Sequence, residues 1–170
     1  MTLVPVAVLI AGANGAGKTT LAREVLHVRY PGASFLNADE IQREGGELAH
    51  PVAAGRELIR RLGDLVNRRL TFAVETTLSS RNYVPRVQAW SAAGYSTTLH
   101  FIELPSADYA VSRMARRVAA GGHAVPEADI RRRFERGLEM FASVYKPLVD
   151  RWYHWRSDDR GLRLDDYSSK

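Results

Sequence analysis

One nine-residue segment, Gly12 to Thr20, limits the fold more than any other part of this chain. It reads GANGAGKTT, fits the pattern G-x-x-x-x-G-K-[ST], and ends an apolar run that begins at Val6. Glycines at these positions allow backbone N–H groups to turn inward in conformations that a Cβ atom would obstruct. The pattern therefore predicts a phosphate-binding loop (P-loop) between a buried strand and the first turn of a helix.

The P-loop predicts binding of a nucleoside triphosphate, which we take to be ATP, together with Mg²⁺. Lys18 would reach the β- and γ-phosphates, and the hydroxyl of Thr19 would ligate the metal ion. Lysine is rare in this chain, since only three of the 24 basic residues are Lys. The other expected nucleotide contacts in the loop are Gly12, Asn14, Gly15, Ala16, Gly17 and Thr20.

Short apolar runs alternate with longer amphipathic segments along the chain, a pattern typical of α/β proteins with parallel strands. The predicted strands are Val6 to Ala11, Ser34 to Ala38, Thr71 to Thr76, Ser96 to Leu104 and, more weakly, Arg151 to Arg156. The predicted helices are Thr19 to Val28, Val52 to Arg69, Tyr83 to Ala93, Ser106 to Ala120 and Pro126 to Leu148, with a loop or broken helix over Glu40 to Pro51. We expect an α/β P-loop NTPase or kinase fold with a mostly parallel five-stranded sheet flanked by helices.

Length and composition favour one domain over residues 1–170, because no internal repeat or shift in composition marks a boundary. The absence of cysteine excludes disulfides, thiolate metal sites and a cysteine nucleophile. The longest apolar run is shorter than the ~20 residues that a membrane helix needs, and no basic segment precedes it as in a signal peptide. We therefore expect a cytoplasmic protein without membrane contact.

Acidic residues follow the second and third predicted strands, in Asn37-Ala38-Asp39-Glu40 and Glu75-Thr76-Thr77. Ligands of open α/β sheets bind at the carboxyl ends of the strands. If both strands flank the P-loop strand, Asp39, Glu75 and Thr77 face one cleft. One carboxylate would accept a proton from a substrate hydroxyl, and the other would organise Mg²⁺ or its waters. The structural alternatives are a helix N-cap for Asp39 and an ion-pair partner for Glu75.

The basic charge of the chain is concentrated in residues 111–136. This segment has seven arginines and three acidic residues, which gives it +4 of the net +5. Gly121 and Gly122 divide it into two amphipathic helices, so we predict an arginine-rich helical lid with a glycine hinge. The expected apolar stripes are Val111, Met114, Ala115 and Val118 before the hinge and Ile130, Phe134, Leu138, Phe141 and Tyr145 after it.

Lid arginines would stabilise charge on a transferring phosphoryl group and exclude water. The alternative for each of them is a solvated helix face. His123, in the hinge, is either a polar contact to substrate or a turn residue. A chain with a pI of about 9.8 also invites a nucleic-acid interpretation. The aromatic residues are not interleaved with arginines as in a stacking platform, however, which argues against nucleic acid as a partner.

The ordered motifs resemble those of the zeta toxin family of P-loop kinases, in particular its short single-domain bacterial members. The matching segments are GANGAGKTT (12–20), NADE (37–40), VETTLS (74–79), GY (94–95), R-x-x-x-R-V (113–118), GGH-x-V-P-E (121–127) and RRF (132–134). The resemblance implies a kinase that uses ATP and Mg²⁺ to phosphorylate a hydroxyl of UDP-N-acetylglucosamine, with an antitoxin protein as a possible partner.

The same resemblance implies roles for single residues. Asp39 would be the catalytic base, Glu75 and Thr77 would contact substrate, and Glu75 would also belong to the metal shell. Arg117 and one of Arg132 and Arg133, which we take to be Arg133, would touch the ATP phosphates with Arg113 nearby. The chain departs from the family in its shorter length, in lacking an arginine two residues after Thr77, and in having Ser157-Asp158-Asp159 where short relatives tend to carry Asn-Ser.

The sequence leaves three functions open. The first is an ATP-dependent kinase that acts on a small-molecule hydroxyl, most simply that of a nucleotide sugar. The second is a polynucleotide or nucleoside 5′-hydroxyl kinase. The third is an ATP-binding module that regulates a partner without catalysis. A GTPase is disfavoured because the sequence has no NKxD-like tetrapeptide for reading guanine.

Overall fold

Within residues 4–168, which the computed structural model describes, six strands form one sheet. They are β1 (Val6–Gly12), β2 (Ser34–Leu36), β3 (Phe72–Thr76), β4 (Ser96–Glu103), β5 (Arg151–Asp158) and β6 (Gly161–Tyr167). Their order is β2-β3-β1-β4-β5-β6, and only the β5–β6 pair is antiparallel. The predicted α/β fold class is confirmed, but the predicted number of five strands is one too few.

The strand that sequence reasoning missed, β6, lies at an edge of the sheet. Its sequence GLRLDDY is mostly polar and its residues are largely exposed, so it lacks the apolar pattern that predicts a buried strand. Charged side chains are common on edge strands because they oppose pairing with other chains.

The helices connect successive strands. They are α1 (Lys18–Arg29), α2 (Ala38–Arg43), α3 (Pro51–Asn67), α4 (Val84–Ala92), α5 (Ala107–Ala119), α6 (Glu127–Met140) and α7 (Lys146–Leu148). A π-helical turn, Phe141–Tyr145, interrupts the long helix predicted up to Leu148, and 3₁₀ turns occupy Gly46–Ala49 and Arg81–Tyr83. None of the helices within the described range is long and apolar enough to cross a membrane.

The central strand β1 is buried on both faces, which explains its unbroken apolar sequence. Ala7 and Leu9 pack in the same cluster as residues of α3 and α4, such as Leu58 and Trp90. Val8 and Ile10 point to the other face of the sheet. Helices therefore cover both faces, and the carboxyl end of β1 is left open for a ligand.

The predicted lid is formed by α5 and α6, which are separated at Gly121 (φ 91°) and Gly122. Ser106 caps α5 by accepting a hydrogen bond from Tyr109 N. The stripe predicted for α6 is confirmed in its buried members Ile130, Phe141 and Tyr145. In α5, however, Ala110 and Met114 form the buried face, and the predicted stripe residues Ala115 and Val118 are exposed.

One topological expectation is wrong. Only β3 lies next to β1 on that side of the sheet, and β2 lies outside β3. The carboxyl ends of these parallel strands still meet at one edge, so the residues after β2 and β3 approach the P-loop despite the different strand order.

Candidate functional site

The P-loop has the conformation that its glycines predict. Gly12 has φ 145°, and a Cβ there would lie 2.6 Å from the carbonyl oxygen of Ile102 on β4. Gly17 is the N-cap residue of α1 and has φ 93°, with open space beside it. The first glycine therefore permits close packing of the loop on β4, and the later one turns the chain into the helix.

Lys18 is held inside this loop. Its side chain is almost completely buried, and Nζ donates a hydrogen bond to the carbonyl oxygen of Ala13 at 3.0 Å. Nζ also lies 3.7 Å from Glu75 Oε1. Burial lowers the pKa of Lys18, whereas the negative charges of Glu75 and Asp39 act to raise it. A desolvated ammonium group in this position is suited to a second, more negative partner such as a phosphate.

Glu75 is the centre of the polar network at the end of β3. Its Oε2 accepts hydrogen bonds from the Thr19 hydroxyl at 2.8 Å and from Asn37 Nδ2 at 2.8 Å. Glu75 thus forms an ion pair, which was the structural alternative for this residue, and its partner is Lys18 of the P-loop. Three chain segments, α1, β3 and the start of α2, are fixed relative to one another by this one carboxylate.

Asp39 lies in the first turn of α2. The N-cap of this helix is Asn37, whose Oδ1 accepts a hydrogen bond from Asp39 N at 2.8 Å, so the N-cap alternative for the Asp39 side chain is wrong. The Asp39 carboxylate is about half exposed and lies 3.7 Å from Arg117 Nη2 on α5. It is therefore free to meet a ligand that enters between α2 and the lid.

A cavity of about 360 Å³, the P-loop cavity, lies at this edge of the sheet. Its lining residues are Gly15, Gly17, Lys18, Thr19, Thr20, Arg23, Asn37, Glu40, Arg43, Glu75, Arg113 and Arg117. Of the predicted loop contacts, Gly12, Asn14 and Ala16 do not line this cavity. Asp39 does not line it directly, although Asn37 and Glu40 on either side of it do.

A second cavity of about 430 Å³, the β3-loop cavity, is formed where β3 ends. It is lined by Thr76, Thr77, Leu78, Ser79, Ser80, Asn82, Tyr83, Arg132, Arg133 and Arg136. Glu75 and Thr77 were predicted to share one cleft, but they line two different cavities. β3 ends at Thr76, and Thr77 belongs to the following segment, which packs against Gly137 of α6, so Thr77 lines the cavity beside α6.

Two close contacts hold the β3-loop cavity together. Gly137 on α6 packs against the sheet so closely that a Cβ there would lie 3.3 Å from the carbonyl oxygen of Thr77. The buried hydroxyl of Tyr145, in the π-helical turn, donates to Ser80 O at 2.7 Å and accepts from Tyr83 N at 3.3 Å. These contacts bring α6 and its arginines to the segment after β3.

Three of the predicted lid arginines reach the cleft. Arg113 and Arg117 line the P-loop cavity, and Arg113 Nη1 donates to Ser157 Oγ at 2.9 Å. Arg133 Nη1 donates to Asn14 Oδ1 at 3.2 Å, so of the pair Arg132 and Arg133 it is Arg133 that contacts the P-loop. Arg132 instead pairs with Asp129 at 2.7 Å.

His123 is not brought to the site: it is exposed on the segment between α5 and α6 and lines neither cavity. Sequence reasoning missed Asn37 as a partner of Glu75, although an Asn between a strand and a helix is a recognisable N-cap. It also missed Arg23, Glu40 and Arg43. Nothing in their sequence context separates these from other exposed charged residues of helices.

The residues present fit a nucleotide phosphate chain with Mg²⁺. The amine of Lys18 points into the loop, where the carbonyl oxygen of Ala13 and the carboxylate of Glu75 are its close partners. Because the Thr19 hydroxyl donates its hydrogen to Glu75, its oxygen lone pairs are available to a cation. Thr19 would ligate the ion directly, and Glu75 would orient this hydroxyl or a bound water.

Comparison with known proteins supports this fold. An uncharacterized protein of Haemophilus influenzae (strain ATCC 51907 / DSM 11121 / KW20 / Rd) is 25% identical over 131 residues, which cover 75% of this chain and 91% of that protein. A chain from the PezAT chromosomal toxin-antitoxin system of Streptococcus pneumoniae superimposes with a TM-score of 0.75 at 14% identity, over 99% of this chain and 74% of that one.

Two further solved structures share the architecture. The match to the Pnkp1/Rnl/Hen1 RNA repair complex has a TM-score of 0.69 at 20% identity and covers 84% of this chain and 47% of that one. The match to AvrRxo1-ORF1:-ORF2 with ATP has a TM-score of 0.65 at 14% identity and covers 98% of this chain and 59% of that one. At these identities the similarity shows the fold alone, and this α/β fold agrees with the one that the resemblance to zeta toxins implies.

A family model described as an AAA domain (AAA_33) matches residues 8–137, which include the P-loop, the strand that carries Glu75 and the lid helices up to Gly137. This match extends over more than half of the chain and includes the elements that form both cavities. The chain therefore belongs to this AAA domain family of P-loop proteins.

Proposed function

We propose that this protein is an ATP-dependent kinase that transfers the γ-phosphoryl group to a hydroxyl of a small molecule. The observation that carries the proposal is the pair of adjoining cavities at one edge of the sheet. Glu75 lines the P-loop cavity and the next two residues, Thr76 and Thr77, line the β3-loop cavity. Arg133, which also lines the β3-loop cavity, donates a hydrogen bond to Asn14 of the P-loop. A kinase needs such an arrangement, because its two substrates must meet in line with their reacting atoms adjacent.

In this mechanism the P-loop amides and Lys18 bind the β- and γ-phosphates. Bound Mg²⁺, held by Thr19 with Glu75 behind it, would offset the negative charge of the phosphate oxygens. Asp39 accepts the proton of the acceptor hydroxyl as its oxygen bonds to the γ-phosphorus and the bond to the β–γ bridging oxygen breaks. Arg117 and Arg133 neutralise the charge on the transferred group, and residues 111–136 close over it to exclude water.

The acceptor that we favour is a nucleotide sugar such as UDP-N-acetylglucosamine, and the activity would then belong in the cytoplasm, where this class of molecule is made. Support comes from the similarity in fold to a chain of the PezAT toxin-antitoxin system, together with the sequence motifs at 37–40 and 74–79. For a kinase of this kind, the protein partner that we propose is an antitoxin that covers the ATP site. The fold similarity to a chain of an RNA repair complex keeps a polynucleotide 5′-hydroxyl kinase as the second candidate.

The proposal is tested by replacing Asp39, the proposed catalytic base. Wild-type protein, Asp39→Asn and a control, Glu24→Gln, which replaces an exposed carboxylate on α1 that lines neither cavity, are incubated with ATP, Mg²⁺ and a metabolite extract that supplies the acceptor. We expect Asp39→Asn to bind ATP normally but to lose at least 100-fold in extract-dependent ADP formation, while Glu24→Gln retains most of it. Undiminished turnover in Asp39→Asn removes Asp39 from the mechanism. Tight ATP binding without turnover in the wild type favours the non-catalytic module.

A further inference from the structure

We propose that Arg136, with Arg132 one helical turn before it, binds an oxyanion of the acceptor, a phosphate or a carboxylate, in the β3-loop cavity. The inference rests on the proposed kinase function and assigns the residues that recognise its second substrate. It concerns a group on the acceptor that is distinct from the hydroxyl that reacts.

The two cavities differ in charge. The P-loop cavity contains both signs, since Glu40 and Glu75 line it together with basic residues. Among the described residues that line the β3-loop cavity, none is acidic and three are arginines. The excess positive charge there would be costly to maintain around a neutral ligand, because bringing a ligand into the cavity removes part of the water that solvates the guanidinium groups.

The three arginines are not equivalent. Arg133 is committed to the P-loop through Asn14 Oδ1, and Arg132 is partly neutralised by Asp129 at 2.7 Å. Arg136, one helical turn after Arg132, forms no hydrogen bond or ion pair with any residue in the range 4–168. An unpaired arginine on a convex surface is simply solvated, but Arg136 belongs to the wall of a concave site. It is therefore the side chain most available to an anionic ligand.

The rest of the wall suits a polyhydroxy compound. Thr77, Ser79 and Ser80 supply hydroxyls, and Asn82 supplies an amide; the Thr77 and Ser79 oxygens are already 3.0 Å apart. Such groups donate to and accept from sugar hydroxyls, whereas a guanidinium only donates and matches two oxygens of a phosphate or carboxylate. The arginines thus form one end of the cavity that recognises an anion, beside a neutral hydrogen-bonding surface.

A small molecule fits this site better than a nucleic acid. A volume of about 430 Å³ is within the usual range for small-ligand pockets. Nucleic-acid binding of the single-stranded kind uses a continuous basic groove with aromatic stacking surfaces. Here the aromatic lining residue, Tyr83, has its face occupied by the guanidinium of Arg86 at 5.7 Å.

The test compares matched neutral and anionic probes. Protein saturated with a non-hydrolysable ATP analogue and Mg²⁺ is titrated calorimetrically with glucose, gluconate and glucose 6-phosphate. A second series uses N-acetylglucosamine, its 1-phosphate and UDP-N-acetylglucosamine. The proteins are wild type, Arg136→Gln and the control Arg56→Gln, which replaces an exposed arginine on α3 that is remote from the β3-loop cavity. Thermal melting verifies that each variant is folded.

We expect at least one oxyanion-bearing probe to bind the wild type and Arg56→Gln tenfold or more tightly than its neutral counterpart, with Arg136→Gln removing most of that difference. Preference for gluconate identifies a carboxylate, and preference for the phosphorylated probes identifies a phosphate. The inference is overturned if neutral probes bind equally well, if no anionic probe binds, or if the preference survives in Arg136→Gln.

Other outcomes distinguish failure of the kinase proposal from failure of the inference about the oxyanion. If the wild type does not bind the ATP analogue, the proposed function fails whatever the acceptor. If it binds the analogue and phosphorylates neutral sugars as readily as anionic ones, only the inference about the oxyanion fails. If Arg136→Gln weakens binding of the ATP analogue but not of the anionic probes, Arg136 belongs to the nucleotide site and the inference is likewise overturned.

Discussion

The hydroxyl of Thr19, in the first turn of α1, donates a 2.8 Å hydrogen bond to Glu75 at the end of β3. This contact joins residues 56 positions apart and fixes the P-loop helix to the neighbouring strand. The same oxygen of Glu75 also accepts from Asn37. The carboxylate therefore both orders the site and places negative charge beside Lys18.

Glu75→Gln should lower phosphoryl transfer by about 100-fold or more. The amide keeps an oxygen for Thr19, but it removes the charge that orients the metal-binding hydroxyl and offsets Lys18. The check is the rate of ADP formation with extract over a series of Mg²⁺ concentrations, with Glu24→Gln, an exposed carboxylate outside both cavities, as the control. Equal rates in Glu75→Gln and wild type would limit Glu75 to a structural role.

Lys18→Met should weaken ATP binding without lowering the thermal stability of the protein. Burial lowers the pKa of Lys18, which means that the charged amine is poorly accommodated before the phosphates arrive. Methionine has a similar shape without that charge, so we expect an unchanged or higher Tm and at least tenfold weaker ATP binding. Calorimetric titration with ATP and thermal melting measure the two effects. Full ATP affinity in the variant would contradict the role assigned to Lys18.

Gly12→Ala should destabilise the protein by about 2 kcal/mol or more, because the new Cβ would meet the Ile102 carbonyl at 2.6 Å in a backbone conformation with φ 145°. Gly63→Ala is the matched control, since Gly63 is exposed within α3 and has nothing within 4 Å of its Cβ position. That substitution should stabilise the helix by up to about 1 kcal/mol. Urea unfolding measures both, and a tolerated Gly12→Ala would show that the loop is not packed on β4.

His100 should make stability depend on pH. Burial lowers the pKa of His100 to about 3, with a smaller contribution from the charge of Arg29. The ring is fully buried, its Nδ1 accepts from Trp155 Nε1 at 3.1 Å, and its Nε2 has no protein partner within the described residues.

Between pH 6.5 and about 3 the unfolded chain binds a proton at this residue and the folded chain does not. The free energy of unfolding therefore falls as the pH falls through this range, by up to about 1.4 kcal/mol per pH unit from this group. His100→Asn keeps an acceptor for Trp155 and should show a shallower slope between pH 6 and 4. Identical slopes in the two proteins would mean that His100 is protonated in the folded state.

The parts of the fold that sequence reasoning predicted correctly are local. The P-loop, the strand before it and the helix after it are adjacent in sequence, and glycine conformation and apolar periodicity are sufficient to identify them. The polar composition of β6 hid it, because its pairing with β5 through the turn near Gly161 leaves most of its side chains in water.

The parts of the site that were missed depend on distant contacts. The bond from Asn37 to Glu75 requires β2 to lie beside β3, and neither motif contains that information. The β3-loop cavity likewise exists because Tyr145 reaches Ser80, 65 positions away. Sequence spacing placed Glu75 and Thr77 together, but which cavity each one lines was decided by the packing of α6.

The fate of the γ-phosphoryl group tests the kinase proposal most directly. Wild-type protein and Lys18→Met are incubated with Mg²⁺, a metabolite extract and ATP labelled in the γ-phosphate, and the products are separated and weighed by mass spectrometry. We predict that wild type transfers the label to a small organic molecule, with a mass gain of about 80 Da, and that Lys18→Met does not. Label found only in inorganic phosphate, or retained entirely in ATP, would contradict the assignment of this cleft as a kinase active site.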